Sequence, residues 1–231
     1  MTALSINLNK IALIRNSRDT DYPSVTLHAA RCIAAGAQGI TVHPRPDIEG
    51  NPFAPAMKSS RQGISDYPGF MEIIRQIRPA QCTLVPDGDA QLTSDHGFDL
   101  HRDGERLSPI IEELKDLGVR VSLFMDPELE QIRLAKSVGA DRIELYTGPY
   151  AEAFGTKQQD AVLQKFIDAS ILAGDIGLGL NAGHDLNLHN LLLFKNSVNQ
   201  LSEVSIGHAF TVDAIEMGLD ACIKAYLRCL Y

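Results

Sequence analysis

Short β-rich apolar runs recur along this chain, each followed by a polar loop, an amphipathic stretch and a glycine-containing turn before the next run begins. That alternation constrains the fold more than any other feature, because strands separated by helical patterns build βα units and a parallel sheet. The predicted strands are 4–8, 39–43, 82–85, 120–125, 142–146, 176–181 and 203–206, and a further one ending near Glu49 makes eight. Eight βα units close into a (β/α)8 TIM barrel, an α/β fold read here as a single domain over 1–231, with its active site at the C-terminal ends of the strands.

Helix signals fill the intervals. Ser24 precedes Val25, Ala29, Cys32 and Ile33, spaced for one helical face, before Gly36. Ser108-Pro109 ahead of Ile110, Ile111, Leu114, Leu117 and Gly118 reads as an N-cap, a proline at the first helical position, an apolar face and a C-terminal glycine. Asp126-Pro127 repeats the scheme in a segment that ends at Gly139, and a helix is expected around 70–77.

One interval breaks the pattern. His43-Pro-Arg-Pro-Asp47 runs straight into Ile48-Glu-Gly-Asn-Pro52, whereas neighbouring parallel strands need a crossover of about a dozen residues or more. The expectation is a missing or disordered segment between Asp47 and Ile48, and an intact mass of 25.2 kDa for the expressed protein would overturn it. The Pro-, Ser- and Gly-rich stretch 53–67 reads as a long surface loop, of the kind that forms lids at barrel mouths.

Charge excludes some partners. Lys and Arg number 21 against 29 Asp and Glu, for a formal charge of -8, so the chain lacks the basic field that draws nucleic acid or an anionic membrane. No stretch is apolar for the ~20 residues a membrane helix needs. Cys32, Cys82, Cys222 and Cys229 form no CxxC pair and sit in apolar runs, which favours a reducing cytoplasm without a zinc site. No nucleotide-binding glycine loop, nucleophile elbow or His and Asp pair at metal spacing occurs, so no metal, nicotinamide or flavin cofactor is expected.

Polar residues gather at the predicted strand ends. Asn7 and Asn9 alternate with Ile6 and Leu8 on one face of the first strand, with Lys10, Arg15, Asn16 and Arg18 close behind; this reads as a cation-rich floor for phosphate esters, or as a solvated loop. His43 ends the run Gly-Ile-Thr-Val-His, and Pro-Arg-Pro after it holds His43 and Arg45 on a stiff loop. Imidazole exchanges protons near neutral pH and guanidinium grips phosphate with two bonds, although a strand-end histidine is also a common structural residue. Glu49 is either a strand-end base raised by partial burial or a turn residue in water.

In Asn181-Ala-Gly-His184, small residues let the chain turn sharply and carry His184 above the sheet. Ser205-Ile-Gly-His208 ends the last strand, where Gly207 and the N–H groups beyond it form either a phosphate cup or a plain turn before a helix. Glu144 and Tyr146 alternate with Ile143 and Leu145, so the Glu144 carboxylate points to the barrel interior or to the helix layer. An interior carboxylate needs a partner and makes a plausible orienting residue.

Taken together, Asn-Leu-Asn-Lys-Ile-Ala-Leu-Ile-Arg-Asn-Ser-Arg (7–18), Gly-Ile-Thr-Val-His-Pro-Arg (39–45), Leu-Val-Pro-Asp (84–87), Asn-Ala-Gly-His (181–184) and Ile-Gly-His-Ala (206–209) resemble the pyridoxine 5'-phosphate synthase family over nearly the whole chain. The resemblance implies a cytoplasmic homo-octamer of (β/α)8 barrels. It also implies a condensation of 1-deoxy-D-xylulose 5-phosphate with 3-amino-2-oxopropyl phosphate to pyridoxine 5'-phosphate, with inorganic phosphate and water released and no cofactor consumed. By matching motif, His43 and Glu49 take the place of proton acceptors and His184 that of a proton donor. Asn7, Arg18, Arg45, Thr93, Asp185, Gly207 and His208 fall at ligand-binding positions. Asn9-Lys10 stands where many members carry Asp-His, and the basic loop that members have between the His-Pro-Arg and Ile-Glu-Gly motifs is absent.

Two other functions compete with this reading. A lysine-dependent aldolase on the same barrel would use Lys10 and be trapped there by borohydride. A phosphate-ester sensor would bind both substrates without turnover.

Overall fold

Strand pairing defines the architecture of the computed structural model, which describes residues 1–43, 69–86 and 94–231. Seven strands, β1 (Ala3–Asn7), β2 (Gly39–Thr41), β3 (Gln81–Leu84), β4 (Arg120–Met125), β5 (Arg142–Leu145), β6 (Gly179–Ala182) and β7 (Leu201–Ile206), lie in the order β2-β1-β7-β6-β5-β4-β3. Every pair is parallel, and the last strand pairs with the first, Ala3 opposite Glu203 and Ile6 opposite Ile206. A sheet that brings its final strand beside its first is curling toward a barrel. Side chains confirm the curl, because hydrogen bonds reach over an intervening strand: Thr83 on β3 to Glu144 on β5, and Ser205 on β7 to Thr41 on β2. Such contacts close only across a concave interior. The described sheet opens between β2 and β3, and the predicted strand ending near Glu49 lies outside the described residues, as does the expected break between Asp47 and Ile48.

The outer face of each strand is apolar at every second residue, as a period of two requires. Leu4, Ile6, Leu123, Ile143, Leu145 and Val204 are buried there. Helices cover them: α1 (Asn9–Asn16), α2 (Val25–Ala34), α3 (Phe70–Ile77), α4 (Leu100–Asp116), α5 (Leu129–Ser137), α6 (Gly148–Ala153), α7 (Gln159–Asp175), α8 (Leu191–Ser197), α9 (His208–Met217) and α10 (Leu219–Leu230). Leu107, Ile111 and Leu114 of α4 join this layer, and Tyr150, Phe166 and Phe194 interlock with ring centroids 5.1–6.2 Å apart. Burying each such side chain contributes about 1.5–3 kcal/mol.

Ser24 caps α2 as expected, accepting from Leu27 N. Ile33 on that helix does not share the buried face and is 48% exposed. The helix predicted to begin at Ser108 instead begins at Asp99, whose carboxylate accepts from His101 N, and Pro109 lies inside α4. Pro109 forfeits one backbone bond, and the buried stripe Leu100, Leu107, Ile111 and Leu114 outweighs that loss. Nor does Asp126 cap α5: its Oδ2 accepts from Gly97 N at 3.0 Å, and Glu128 holds the N-cap position. The strand expected at 176–181 starts later, at Gly179, because α7 extends to Asp175 and Gly177 turns the chain with φ 70°.

Candidate active site

The interior face of the strands is polar where the outer face is apolar. Ser5, Thr41, Thr83, Ser122, Glu144, Asn181, Glu203 and Ser205 occupy it, and hydrogen bonds from Thr83 and Ser205 span the curl. Thr83 Oγ1 donates to Glu144 Oε2 at 3.2 Å, Arg142 Nη1 donates to Asn181 Oδ1 at 2.9 Å, and Thr41 Oγ1 meets both Ser5 and Ser205 hydroxyls at 2.7 and 2.8 Å. Glu144 therefore points inward, resolving the two orientations its alternation permits. It keeps some surface along the barrel axis, yet protein atoms crowd it closely enough to disfavour the charged form. Burial first, and the Glu203 carboxylate second, push its pKa from 4.5 up to about 7 against the opposing Thr83 hydrogen bond.

Above this axis the strand ends carry the predicted residues. Asn7 is the last residue of β1, and its Oδ1 accepts from Asn9 N at 3.0 Å, a turn that ends the strand. Asn9 is thus not on the strand face with Asn7. It opens α1, and its Oδ1 accepts from His43 N at 2.9 Å, stitching the end of β1 to the loop after β2. His43 is half-buried, two residues past β2. Lys10 lies in the first turn of α1 and is half-buried. Arg18 follows that helix, exposed, with Nη1 donating to the Ser17 carbonyl.

His184 follows β6 by two residues and lies edge-on to two rings, Tyr146 at 5.4 Å and Phe124 at 6.0 Å. Thr147 Oγ1 donates to the His184 carbonyl, so the end of β5 fixes the turn after β6. Gly183 makes that turn possible: its φ is 155°, and a Cβ there would collide with the Ser205 carbonyl oxygen. Asp185 adopts φ 63°, is exposed, and brings Oδ2 to 3.8 Å from His184 Nε2. Burial first, then the Asp185 charge, raise the Tyr146 hydroxyl above its ordinary value.

Gly207 occupies the N-cap position of α9 and packs against Asn7, while His208 begins the helix and is exposed. The first-turn N–H groups of a ten-residue helix give this corner positive potential. Glu49, Arg45 and Thr93 lie outside the described residues. Among the described residues the structure brings Asn7, Asn9, His43, His184, Gly207 and His208 to one end of the sheet. Among those residues no group of three His, Cys, Asp or Glu side chains is placed to hold a metal ion.

Sequence reasoning missed the aromatic walls of His184 and the partners of Glu144. Phe124 could have been found from its alternation with Ser122, and Glu203 from its alternation with Ser205. Thr83 could not, since its contact joins strands that are not neighbours.

Comparison with known proteins agrees with the fold. The family model described as pyridoxal phosphate biosynthesis protein PdxJ matches residues 4–50 and 61–231. A protein of Xanthomonas campestris pv. campestris (strain B100) named pyridoxine 5'-phosphate synthase is 52% identical over 250 residues, covering 98% of this chain and 95% of its own. One of the same name from Xanthomonas axonopodis pv. citri (strain 306) is 49% identical over 253 residues, covering 99% and 96%. Among solved structures, KGPDC from Streptococcus mutans aligns over 100% of this chain and 97% of its own, with a TM-score of 0.58 and 12% identity, a likeness of fold alone. With the barrel order of its strands and a match across nearly its full length, the chain belongs to the family of the pyridoxal phosphate biosynthesis protein PdxJ.

Proposed function

We propose that this chain is a pyridoxine 5'-phosphate synthase, condensing 1-deoxy-D-xylulose 5-phosphate with 3-amino-2-oxopropyl phosphate and releasing inorganic phosphate and water. The observation that carries this reading is family membership through stretches that include His43, Glu49 and His184. The amine of one substrate condenses with the carbonyl of the other, water leaves, and ring closure expels phosphate and further water. Each step moves a proton, which asks for bases and an acid rather than a redox centre. His43 and Glu49 accept those protons and His184 donates one. Asn7, Arg18, Arg45, Thr93, Asp185, Gly207 and His208 bind the phosphates and hydroxyls, with Asn9 and Lys10 beside them, and Glu144 orients the reacting groups from below.

Asn9 in place of an aspartate keeps the hydrogen bond to His43 N, since an amide oxygen accepts as a carboxylate does, and removes a negative charge beside the imidazole. The alignments with relatives run to 250 residues or more against the 231 of this chain, so the relatives carry residues that this chain lacks; the reading places that difference between Asp47 and Ile48. The reading includes a cytoplasmic location and a homo-octamer. Burial that raises the thiols of Cys32, Cys82 and Cys222 suits a reducing compartment. Exposed Ile14 and Ile215, lining an apolar groove with Leu8, Ile11 and Phe210, suit contact between subunits.

The test is incubation of the full-length protein with both substrates, following pyridoxine 5'-phosphate by absorbance and mass alongside released phosphate. Product is expected from the unaltered protein and is lost in Glu49→Gln and His184→Ala. Binding of both substrates without product would replace the synthase with a sensor. Light scattering of the same sample reports the assembly, and a monomer at all concentrations would overturn the octamer.

A further inference from the structure

A second carboxylate stands in the barrel interior that no step above uses. Strand register places Glu144 beside Asn181 and Asn181 beside Glu203, so the three form one row across β5, β6 and β7. Its ends are two strand spacings, roughly 10 Å, apart. The amide between them does not neutralise either end. Asn181 Oδ1 accepts from Arg142 Nη1, and that same nitrogen stands 3.9 Å from Glu203 Oε2. Burial raises the Glu203 carboxyl above its ordinary value, and the charges of Arg142 and then Arg120 only partly offset that rise. Glu144 receives a neutral hydrogen bond, from Thr83.

The groups facing Glu144 can be named strand by strand. β3 offers Thr83, β4 offers Ser122 and Phe124 and, exposed at its start, Arg120, and β6 offers Asn181; of these only Arg120 is charged, and its charge acts on Glu203 and Arg142. Its own strand carries Arg142 and Tyr146, the first turned to Asn181 and Glu203 and the second stacked against His184. β7 offers Glu203, whose charge disfavours ionisation of the Glu144 carboxyl. A carboxyl in this setting is shifted toward its acid form.

Resting on the reading that Glu144 orients reacting groups, we propose that Glu203 and Thr83 are positioning residues for the reaction, acting through Glu144: the Glu203 charge favours its protonated form, and the Thr83 hydroxyl fixes Oε2 as the acceptor. The proton then resides on Oε1. Acting through Glu144, both change turnover and leave substrate binding alone.

The experiment titrates the Glu144 carboxyl by 13C NMR in the assembled protein, using Glu144→Gln to assign the resonance, and records the pH dependence of kcat in parallel. Glu203→Gln removes the repelling charge and lowers the carboxyl midpoint by about half a unit to one unit, and the matching limb of kcat moves with it. Thr83→Val removes a hydrogen bond to the ionised form and moves the midpoint up, and Thr83→Ser restores it. KM for both substrates stays within about twofold of the unaltered protein in all three, an effect small beside the kcal-scale cost of a lost contact. Midpoints unmoved in both Glu203→Gln and Thr83→Val overturn the inference. Should Thr83→Val fail to fold, Glu203→Gln alone decides. If the unaltered protein makes no product, the synthase reading fails, while the carboxyl titration still decides what sets the charge of Glu144.

Discussion

The two faces of the same strands obey opposite chemistry. On β5, Ile143 and Leu145 face outward into a layer of Leu, Ile and aromatic side chains, while Arg142 and Glu144 face inward to Asn181, Glu203 and Thr83. Many barrels fill their interior with branched aliphatic residues; the described part of this one carries hydroxyls, an amide and charges, with Phe124 beside them. The outer layer thus supplies cohesion, because apolar burial is non-directional and scales with area. The inner layer supplies orientation, at the expense of desolvating groups that prefer water.

The sharpest way to break this division is to delete from each face in turn. Leu123→Ala on the outer face leaves a cavity and is expected to cost about 2–5 kcal/mol in urea denaturation. A loss under about 1 kcal/mol would mean that the helix layer is not what stabilises the sheet. On the inner face Glu144→Gln is expected to stabilise, and to do so only in part of the pH range. The native carboxyl titrates near 7 against an ordinary 4.5, so between those values the native state holds a proton that the unfolded chain has released. Stability of the unaltered protein then falls as pH rises from 4.5 to 7, whereas that of the glutamine variant does not. Above pH 7 the variant should gain on the order of 2 kcal/mol, allowing for water that reaches the barrel axis. A gap independent of pH would show that Glu144 is not held as an acid. The smallest effect belongs to Ser122→Ala. The Ser122 hydroxyl is buried and makes no hydrogen bond within the described structure, so its removal should leave stability within about half a kcal/mol or raise it slightly. A marked loss would reveal that the inner face contributes more cohesion than its pairings indicate.

The same contrast explains what could be read from sequence. Outer-face periodicity is local and strong, so the strands at 120–125 and 203–206 and the helix at 70–77 were evident from spacing. Boundaries failed where tertiary packing overrode local grammar. Ser108-Pro109 looks like a helix start, but Leu100 and Leu107 continue the buried stripe upstream and Asp99 supplies the cap. Asp126 looks like a cap and instead receives Gly97 N from a segment 29 residues earlier. Asn9 looked like a strand residue because its alternation continues Asn7, yet the Asn7 side chain had already turned the chain. Site residues were legible where a short motif places them at a strand end, as with His184 and His208. The inner row was not, since Glu144, Asn181 and Glu203 are distant in sequence and meet only through the pairing register of β5, β6 and β7.

The pairing of β1 with β7 has a consequence for how the chain is made. Thr2 Oγ1 donates to the carbonyl of Leu201, 199 residues away, and Ala3 to Ile6 find their second strand neighbour only in Glu203 to Ile206. Translation at ~5–20 residues per second separates the appearance of these partners by roughly 10–40 s. During that interval β1 keeps one edge unpaired, a template for other chains. Closing the sheet therefore waits until β7 has been made, and β1 depends on prompt cover until that partner arrives.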